Sequence, residues 1–238
     1  MTPSFSDLFE LAADGDRDAI RDLHRSGERA VFEQARAWAL SDDVPRQEVG
    51  LDVLGQLGIG QTPDRPKWPF RRETIDLLRY LLRDPEAPAD VLESAIVAAG
   101  HQYAEDLLAE VAAAASHPDE DVRHAVAWGI GFLRSGVDDG EPTAPLIVDT
   151  LIRLCADDVA AVREWALFAL RGIEEDLTPN ESPAALAAYL AGAEDDDPEV
   201  RAEAVQALEA LGVRNRSRAP RPSRPTTSRR SRRRSRRR

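Results

Sequence analysis

The chain has 238 residues, of which 42% are hydrophobic and 5% aromatic, and it contains one cysteine. This length and apolar content suit one or two globular domains with a sizeable core. One cysteine excludes an intramolecular disulfide framework and a cysteine-based metal site, and no apolar run approaches the ~18 residues of a membrane span. Residues 1–7 also lack the basic-then-apolar layout of a signal peptide. We therefore expect a cytoplasmic protein that does not engage a membrane.

The formal net charge of −12 combines two segments of opposite sign. Residues 214–238 contain 13 arginines and no acidic residue, whereas the other 213 residues carry 18 basic and all 43 acidic residues, a net charge of −25. A body this acidic repels phosphate backbones, while the C-terminal segment attracts them. The two segments must therefore be considered separately when partners are inferred.

Three short helices are predicted in the N-terminal part, residues 4–40, over residues 5–13, 16–25 and 28–40. After residue 58 the pattern is interrupted. Residues 59–72 contain three prolines and are predicted to be non-helical, because proline breaks helices. Four basic residues lie there beside Trp68 and Phe70. Two interpretations stay open: an exposed binding loop, or aromatic rings that fasten a long connection to the core.

A repeat of about 40 residues runs through residues 41–213. Three segments align without gaps, and their arginines Arg123, Arg163 and Arg201 are 40 and 38 residues apart. Weaker copies occupy residues 47–55 and 92–100. Each strong copy follows an acidic cluster, which suits a helix N-terminus, and its apolar residues recur every three or four positions.

A second apolar helix is predicted before each strong copy, over residues 104–115, 145–155 and 183–193. No segment shows the alternation of a β-strand. Helix pairs of about 40 residues cannot bury their own apolar faces, so they stack. The sequence thus predicts an all-α fold, an α-solenoid of stacked antiparallel helix pairs. The connections at 135–145 and 174–183 are predicted to be acidic loops on one edge of it.

The string Pro-Asp-x-x-Val-Arg-x-x-x-Ala/Val, followed by Leu-Gly, resembles the HEAT repeat in its short variety, named after phycobilisome lyases. The resemblance covers most of residues 23–212 and implies protein binding more often than any one chemistry. It also implies that an aspartate of each turn pairs with an arginine of a neighbouring repeat. The structural ladder expected from it consists of Asp121, Arg123, Asp158, Arg163, Asp197 and Arg201.

The resemblance further implies that the second helix of each pair lines the concave side. Positions one, five and eight after each arginine then face away from the core, which places Trp128 and Phe168 in one column of adjacent helices. In the weaker copies these positions include Glu48, Asp52 and Glu93. Aromatic residues on a face expected to be solvated favour a binding patch, although covering loops remain the alternative. The predicted partner-binding residues are His124, Trp128, Glu164, Phe168, Arg171 and Gln206, with Trp68 from the proline-rich segment.

Trp165 is expected in the core, and Cys155 is interpreted as a small core residue. The four histidines lack metal-ligand spacing. They also lack the His-Glu pairs with which HEAT-repeat deoxyhypusine hydroxylases, which this fold resembles, hold iron. HEAT-like DNA glycosylases use a basic groove, which a body of net charge −25 does not provide. We therefore predict no catalytic residue, cofactor or metal site.

Residues 214–238, rich in Arg, Ser and Pro, have almost nothing to bury and are predicted to be disordered. Two interpretations stay open: the segment is an arm that binds nucleic acid or the acidic body, or it is the product of a shifted reading frame. The function predicted for the whole chain is a non-catalytic scaffold that binds a protein partner, favoured to be basic, on the concave face. The alternatives are nucleic-acid binding through the tail and a HEAT-like lyase or isomerase.

Overall fold

A computed structural model of the chain describes residues 3–59, 68–133, 145–173 and 182–218, and all regular structure within these ranges is helical. The predicted all-α solenoid is thus confirmed. Two short 3-10 turns, Glu105–Leu107 and Ile130–Phe132, lie between the α-helices. The helices are α1 (Phe5–Ala13), α2 (Arg17–Ser26), α3 (Arg29–Ala39), α4 (Val44–Gln56), α5 (Arg71–Leu82), α6 (Ala89–His101), α7 (Leu108–Ala114), α8 (Glu120–Gly129), α9 (Pro145–Leu154), α10 (Ala160–Ile173), α11 (Ser182–Gly192) and α12 (Pro198–Arg218).

From α3 onward the helices alternate between two layers. The first layer contains α3, α5, α7, α9 and α11, and each of these packs against the helix that follows it in the chain. The second layer contains α4, α6, α8, α10 and α12, which pack directly on one another in that order. Helices α1 and α2 pack on each other and on α4, and so cover the N-terminal end.

Side-chain caps begin many of these helices. Ser4 and Asp7 form a reciprocal capping box at α1, and the Asp16, Asp43 and Asp119 carboxylates accept backbone N–H bonds at the starts of α2, α4 and α8. Such bonds satisfy N–H groups that have no partner within the helix. The acidic clusters of the repeat thus act as helix starts.

The apolar stripe of each second-layer helix forms the core. Val122, Val126 and Ile130 have no exposed surface, and the same holds for Val162 and Leu170 one repeat later. Their three- and four-residue spacing places them on one side of each helix, facing the first layer. The opposite side of the second layer is therefore left for other contacts.

Three predicted boundaries need correction. The sequence pattern groups α3 with the N-terminal helices, whereas in the structure α3 packs against α4 as the first member of a pair. The predicted non-helical segment ends at Phe70, because α5 begins at Arg71, after the last proline. Helix α12 continues to Arg218, five residues into the predicted disordered tail, because extending an existing helix costs far less than starting one. Residues 60–67, 134–144, 174–181 and 219–238, which hold most of the predicted loops and tail, lie outside the described residues.

Arginines join consecutive repeats. Arg123 donates through Nε and Nη2 to the Asp157 carboxylate at 2.7 and 3.0 Å, and Nη2 also reaches Asp158 at 2.7 Å. Arg163 makes the same fork to Asp195, with both distances 2.8 Å. The Nη1 atom of each arginine donates to two backbone carbonyls of the turn before its own helix. Each guanidinium therefore ties its own turn to the next repeat.

This ladder uses different aspartates from those that the sequence indicated. Asp158 contributes a single oxygen, and Asp197 instead caps α12 by accepting the N–H groups of Glu199 and Val200. Asp121 lies in the first turn of α8, where its own N–H is bound by Asp119. Arg201 donates to the carbonyls of its own turn, at Asp195 and Asp196. Adjacent aspartates of a turn point in different directions, and spacing alone does not tell which one faces the preceding arginine.

Candidate functional site

An aromatic groove of about 550 Å³ lies on the second layer between α8 and α10. Phe168, Phe132 and Tyr103 keep 49%, 41% and 40% of their surface exposed there. With Trp68, whose ring lies 5.6 Å from that of Tyr103, this region gathers six of the chain's 13 aromatic residues. The lining residues are Tyr103, Trp128, Gly131, Phe132, Trp165, Phe168, Ala169, Gly172 and Ile173.

The rings of the groove support one another. The Trp128 and Phe132 ring centres lie 5.2 Å apart, and Phe132 meets Tyr103 edge to face at 6.2 Å. On the opposite wall, Trp165 and Phe168 form a T-shaped pair at 5.4 Å. Offset and edge-to-face contacts of this kind hold rings in defined orientations. The groove is therefore a shaped apolar surface rather than a set of separate exposed rings.

An acidic hollow of about 310 Å³ lies between α4 and α6 on the same layer. Its carboxylates are Glu48, Asp52 and Glu93, at the column positions named from the sequence, and its other lining residues are Ile20, Val49, Ser94, Val97, Ala98 and His101. His24 Nε2 lies 3.2 Å from the Asp52 carboxylate, and the Gln56 amide donates to it at 2.9 Å.

Burial and like charges shape the ionisation of the hollow. The pKa of Glu93 is raised, first by burial and then by the negative charges of Asp121, Asp90, Glu48 and Asp119. Burial and the charge of Asp90 likewise raise the pKa of Glu48. Burial acts to raise the pKa of Asp52 as well, but hydrogen bonding to His24 lowers it overall. Negative charge is thus concentrated at the hollow, which favours a cation there.

Two of the seven predicted binding residues line the aromatic groove, and His124, Arg171 and Trp68 each contact a ring that lines it. Trp128 and Phe168 line opposite walls, and the His124 ring lies 5.8 Å from that of Trp165. The Arg171 guanidinium lies 5.4 Å from the Phe168 ring centre and donates to Glu203 at 2.8 Å. Glu164 and Gln206 do not line the groove: Glu164 is half-buried on α10 and Gln206 is exposed on α12.

Three of the groove's rings lie where the sequence pattern did not place them. Trp165 was expected in the core but is only half-buried and lines the wall beside Phe168. Phe132 lies in the 3-10 turn after α8, where α-helical spacing no longer predicts its direction. Tyr103 follows α6 with a φ of 48°, a left-handed conformation that no helical pattern indicates. Phe70, by contrast, packs on Phe32 at 4.7 Å and fastens the connection to the core, whereas Trp68 contacts Tyr103 without lining the groove itself.

Metal binding and the reactivity of the single thiol can both be assessed from the described residues. No group of three or more His, Cys, Asp or Glu side chains among them could hold a metal ion. Burial raises the pKa of the Cys155 thiol to about 12, so it is protonated at neutral pH and is a poor nucleophile. No described helix is both long and apolar enough to cross a membrane.

Comparison with known proteins identifies the architecture. Residues 75–171, from α5 to α10, match the family model of HEAT repeats. The X-ray structure of the Escherichia coli protein YibA is 21% identical, with a TM-score of 0.67 over 89% of this chain and 74% of that chain. A designed armadillo repeat protein in complex with the peptide (KR)4 is 15% identical, with a TM-score of 0.59 over 88% of this chain and 100% of that chain.

An engineered protein is also similar, at 20% identity and a TM-score of 0.60 over 89% of this chain and 100% of its own. No curated protein sequence matches the chain. The solved structures share the fold, and the family match covers the helices that form the aromatic groove and one wall of the acidic hollow. Residues 75–171 thus match HEAT repeats, and the chain has the fold of an α-solenoid of the HEAT and armadillo type.

Proposed function

We propose that the protein is a non-catalytic scaffold that binds a segment of a partner protein along the exposed, concave face of its second helical layer. The observation that carries this proposal is the aromatic groove, in which Phe168, Phe132 and Tyr103 are 40–49% exposed. A contiguous apolar surface of shaped rings is unfavourable in water and is typical of an interaction site. A partner that covers the groove removes this surface from water.

Charge favours a basic partner. The acidic hollow lies on the same layer as the groove, between α4 and α6, and residues 1–213 carry a net charge of −25. The designed armadillo relative binds an alternating Lys-Arg peptide, which shows that a solenoid of this fold can hold a basic segment. The charge of this chain supports the same class of partner.

Two subsidiary assignments complete the proposal. The cytoplasm suits a chain whose single cysteine is a half-buried, free thiol. Nucleic-acid binding is the second candidate function, because residues 214–238 carry 13 arginines that could neutralise phosphates. This candidate is tested by measuring oligonucleotide binding in two variants. If removal of residues 219–238 abolishes binding and Phe168→Ala leaves it unchanged, the arginines alone bind the nucleic acid.

Partner capture with matched variants tests the scaffold function. Immobilised full-length protein, Phe168→Ala and Tyr80→Ala are compared by quantitative mass spectrometry of retained proteins. Tyr80 is the control because it is also an exposed aromatic residue, at 62%, but lies on α5 in the first layer. We expect Phe168→Ala to weaken retention of the partner by about ten-fold, a typical effect of a central aromatic contact, and Tyr80→Ala to leave it unchanged. Equal retention by both variants would refute the proposal.

A further inference from the structure

The aromatic groove is open because two of its lining positions have no side chain. Gly131 follows α8 and Gly172 lies in the last turn of α10. A Cβ atom built at Gly172 meets nothing within 4 Å, and one at Gly131 meets only the Ala169 Cβ, at 3.9 Å. The groove therefore has room for a bulky side chain between the Trp128 and Phe168 walls.

The groove suits an apolar side chain rather than a cation. Its walls are aromatic and aliphatic, and the Arg171 guanidinium already lies over the Phe168 ring. A second cation on that ring would be repelled by Arg171, whereas an apolar side chain gains hydrophobic free energy without that cost. Leucine, phenylalanine and tryptophan fit this description.

The acidic hollow suits a cation. Glu48 and Glu93 repel each other across it, and Asp90 adds to the negative potential at both. A guanidinium or ammonium group placed there relieves this repulsion and forms charge-assisted hydrogen bonds. The two sites on one layer therefore select different side chains.

The distance between the sites defines a spacing in the ligand. The hollow lies between α4 and α6 and the groove between α8 and α10, so their centres are two helix positions apart. Packed helices are ~8–10 Å apart, which gives ~16–20 Å between the centres. An extended chain advances ~3.3 Å per residue, so five or six residues span this distance.

The Arg-rich end of the chain itself cannot occupy both sites. Residues 219–238 contain ten arginines but no Val, Leu, Ile, Met, Phe, Tyr or Trp. Residues 134–144 and 174–181, near the groove in the chain, are acidic and do not complement the hollow. The occupant that satisfies both sites must come from another protein.

We propose that the partner segment is an extended, two-part ligand: a bulky apolar side chain enters the aromatic groove, and a pair of basic residues five or six positions away binds the acidic hollow. This inference rests on the proposed function and adds the chemistry and spacing of the partner. It predicts that the two contacts act together only at the correct separation.

Synthetic peptides and the full-length protein test the spacing. Each peptide carries one tryptophan, one Arg-Arg pair and a Gly-Ser spacer of two, five or ten residues, and binding is measured by fluorescence anisotropy in 0.1 M salt. We expect the five-residue spacer to bind about ten-fold more tightly than the two-residue spacer, because the short one cannot span both sites. The ten-residue spacer should fall between them.

Two variants separate the contacts. Gly172→Leu fills the groove and should reduce binding to that of a peptide without tryptophan, while folding is preserved because leucine forms helix better than glycine. The double variant Glu48→Gln/Glu93→Gln should bind the five-spacer peptide only as tightly as the natural protein binds a peptide without arginine. Tyr80→Ala is the control and should bind like the natural protein.

The outcomes that overturn the inference are distinct. Equal affinity at all three spacings would show that the two sites do not act together, and would overturn this inference. The scaffold function would still stand in that case if Phe168→Ala releases the natural partner. A peptide of residues 219–238 that displaces the five-spacer peptide from both sites would make the chain's own end the occupant. An oligonucleotide whose binding is lost in Gly172→Leu would make nucleic acid the ligand.

Discussion

Arg163 illustrates how a single residue joins two repeats. Its side chain is 17% exposed and its partner Asp195 is 14% exposed, so the paired charges are largely shielded from water. One face of the guanidinium binds the Asp195 carboxylate, and Nη1 binds the carbonyls of Asp157 and Asp158. Removing this side chain leaves both the carboxylate and the carbonyls without a charged donor.

We expect Arg163→Ala to lower the free energy of unfolding by about 1–3 kcal/mol, because hydrogen bonds to charged, shielded groups are lost. Arg201→Ala is the matched control, since Arg201 makes the same turn bonds in the last described repeat. Its loss should be smaller. Urea denaturation measures both, and an unchanged midpoint for Arg163→Ala would contradict a stabilising ladder.

The same pair predicts a pH dependence of stability. The hydrogen bond from Arg163 lowers the pKa of Asp195, although partial burial opposes it. A carboxyl group with a lower pKa in the folded state stabilises the fold above its unfolded pKa, about 3.9, and this contribution is lost as pH falls through the folded pKa.

Urea midpoints measured between pH 5 and pH 2 should therefore fall toward low pH in the natural protein. Asp195→Asn should start lower at pH 5 and change less across the range, because it has no carboxyl to protonate. Parallel curves for the two proteins would show that Asp195 does not contribute.

At the scale of elements, the backbones of α3 and α4 come into close contact at Gly50. A Cβ atom at Gly50 would lie 2.6 Å from both the Ala35 carbonyl oxygen and the Ala39 nitrogen, a separation that no side chain tolerates. Because these are backbone atoms, the helices themselves would have to separate.

Gly50→Ala should destabilise the protein by about 1–3 kcal/mol despite the better helix propensity of alanine. Gly172→Ala provides the opposite case, because its Cβ meets nothing within 4 Å, and it should leave stability unchanged or raise it by up to about 1 kcal/mol. Thermal unfolding of the two variants distinguishes packing from propensity. If Gly50→Ala melts at the natural temperature, the close crossing is not a constraint.

At the scale of the whole molecule, the ten arginines of residues 219–238 face an acidic body on the same chain. Twenty residues span up to about 66 Å when fully extended. The acidic hollow lies more than three helix positions from α12, at ~8–10 Å for each position, so this segment is long enough to reach it. Tethering raises the local concentration to the order of millimolar. These arginines should therefore compete with a basic ligand for the hollow, but not with an apolar side chain for the groove.

Deleting residues 219–238 should strengthen binding of an arginine-only peptide at 0.1 M salt. The difference should vanish at 1 M, where the screening length falls from about 10 Å to about 3 Å. Anisotropy titrations at both salt concentrations measure this effect, with a tryptophan-only peptide as the control. Unaltered affinity at low salt would exclude such autoinhibition.

Local patterns in the sequence determined the fold. Helix periodicity, acidic caps and the phased arginines depend on residues within one or two turns of each other, so the all-α solenoid and most helix bounds could be predicted. The same periodicity placed Trp128 and Phe168 in one column, and Glu48 and Glu93 at the matching positions, because equivalent residues of stacked helices share a face. Part of the lining of the aromatic groove and of the acidic hollow could therefore be predicted from the sequence.

The tertiary structure decided the rest, because contacts between repeats depend on how far adjacent helices are offset. That offset selects Asp157 and Asp195 as the carboxylates that receive the arginine forks. The 3-10 turn after α8 and the left-handed turn after α6 place Phe132 and Tyr103 at the groove. Neither turn follows the helical period, so the positions of these two rings could not be read from helical spacing. The shape of the binding surface is thus a property of packing between helices, which a pattern within one helix does not contain.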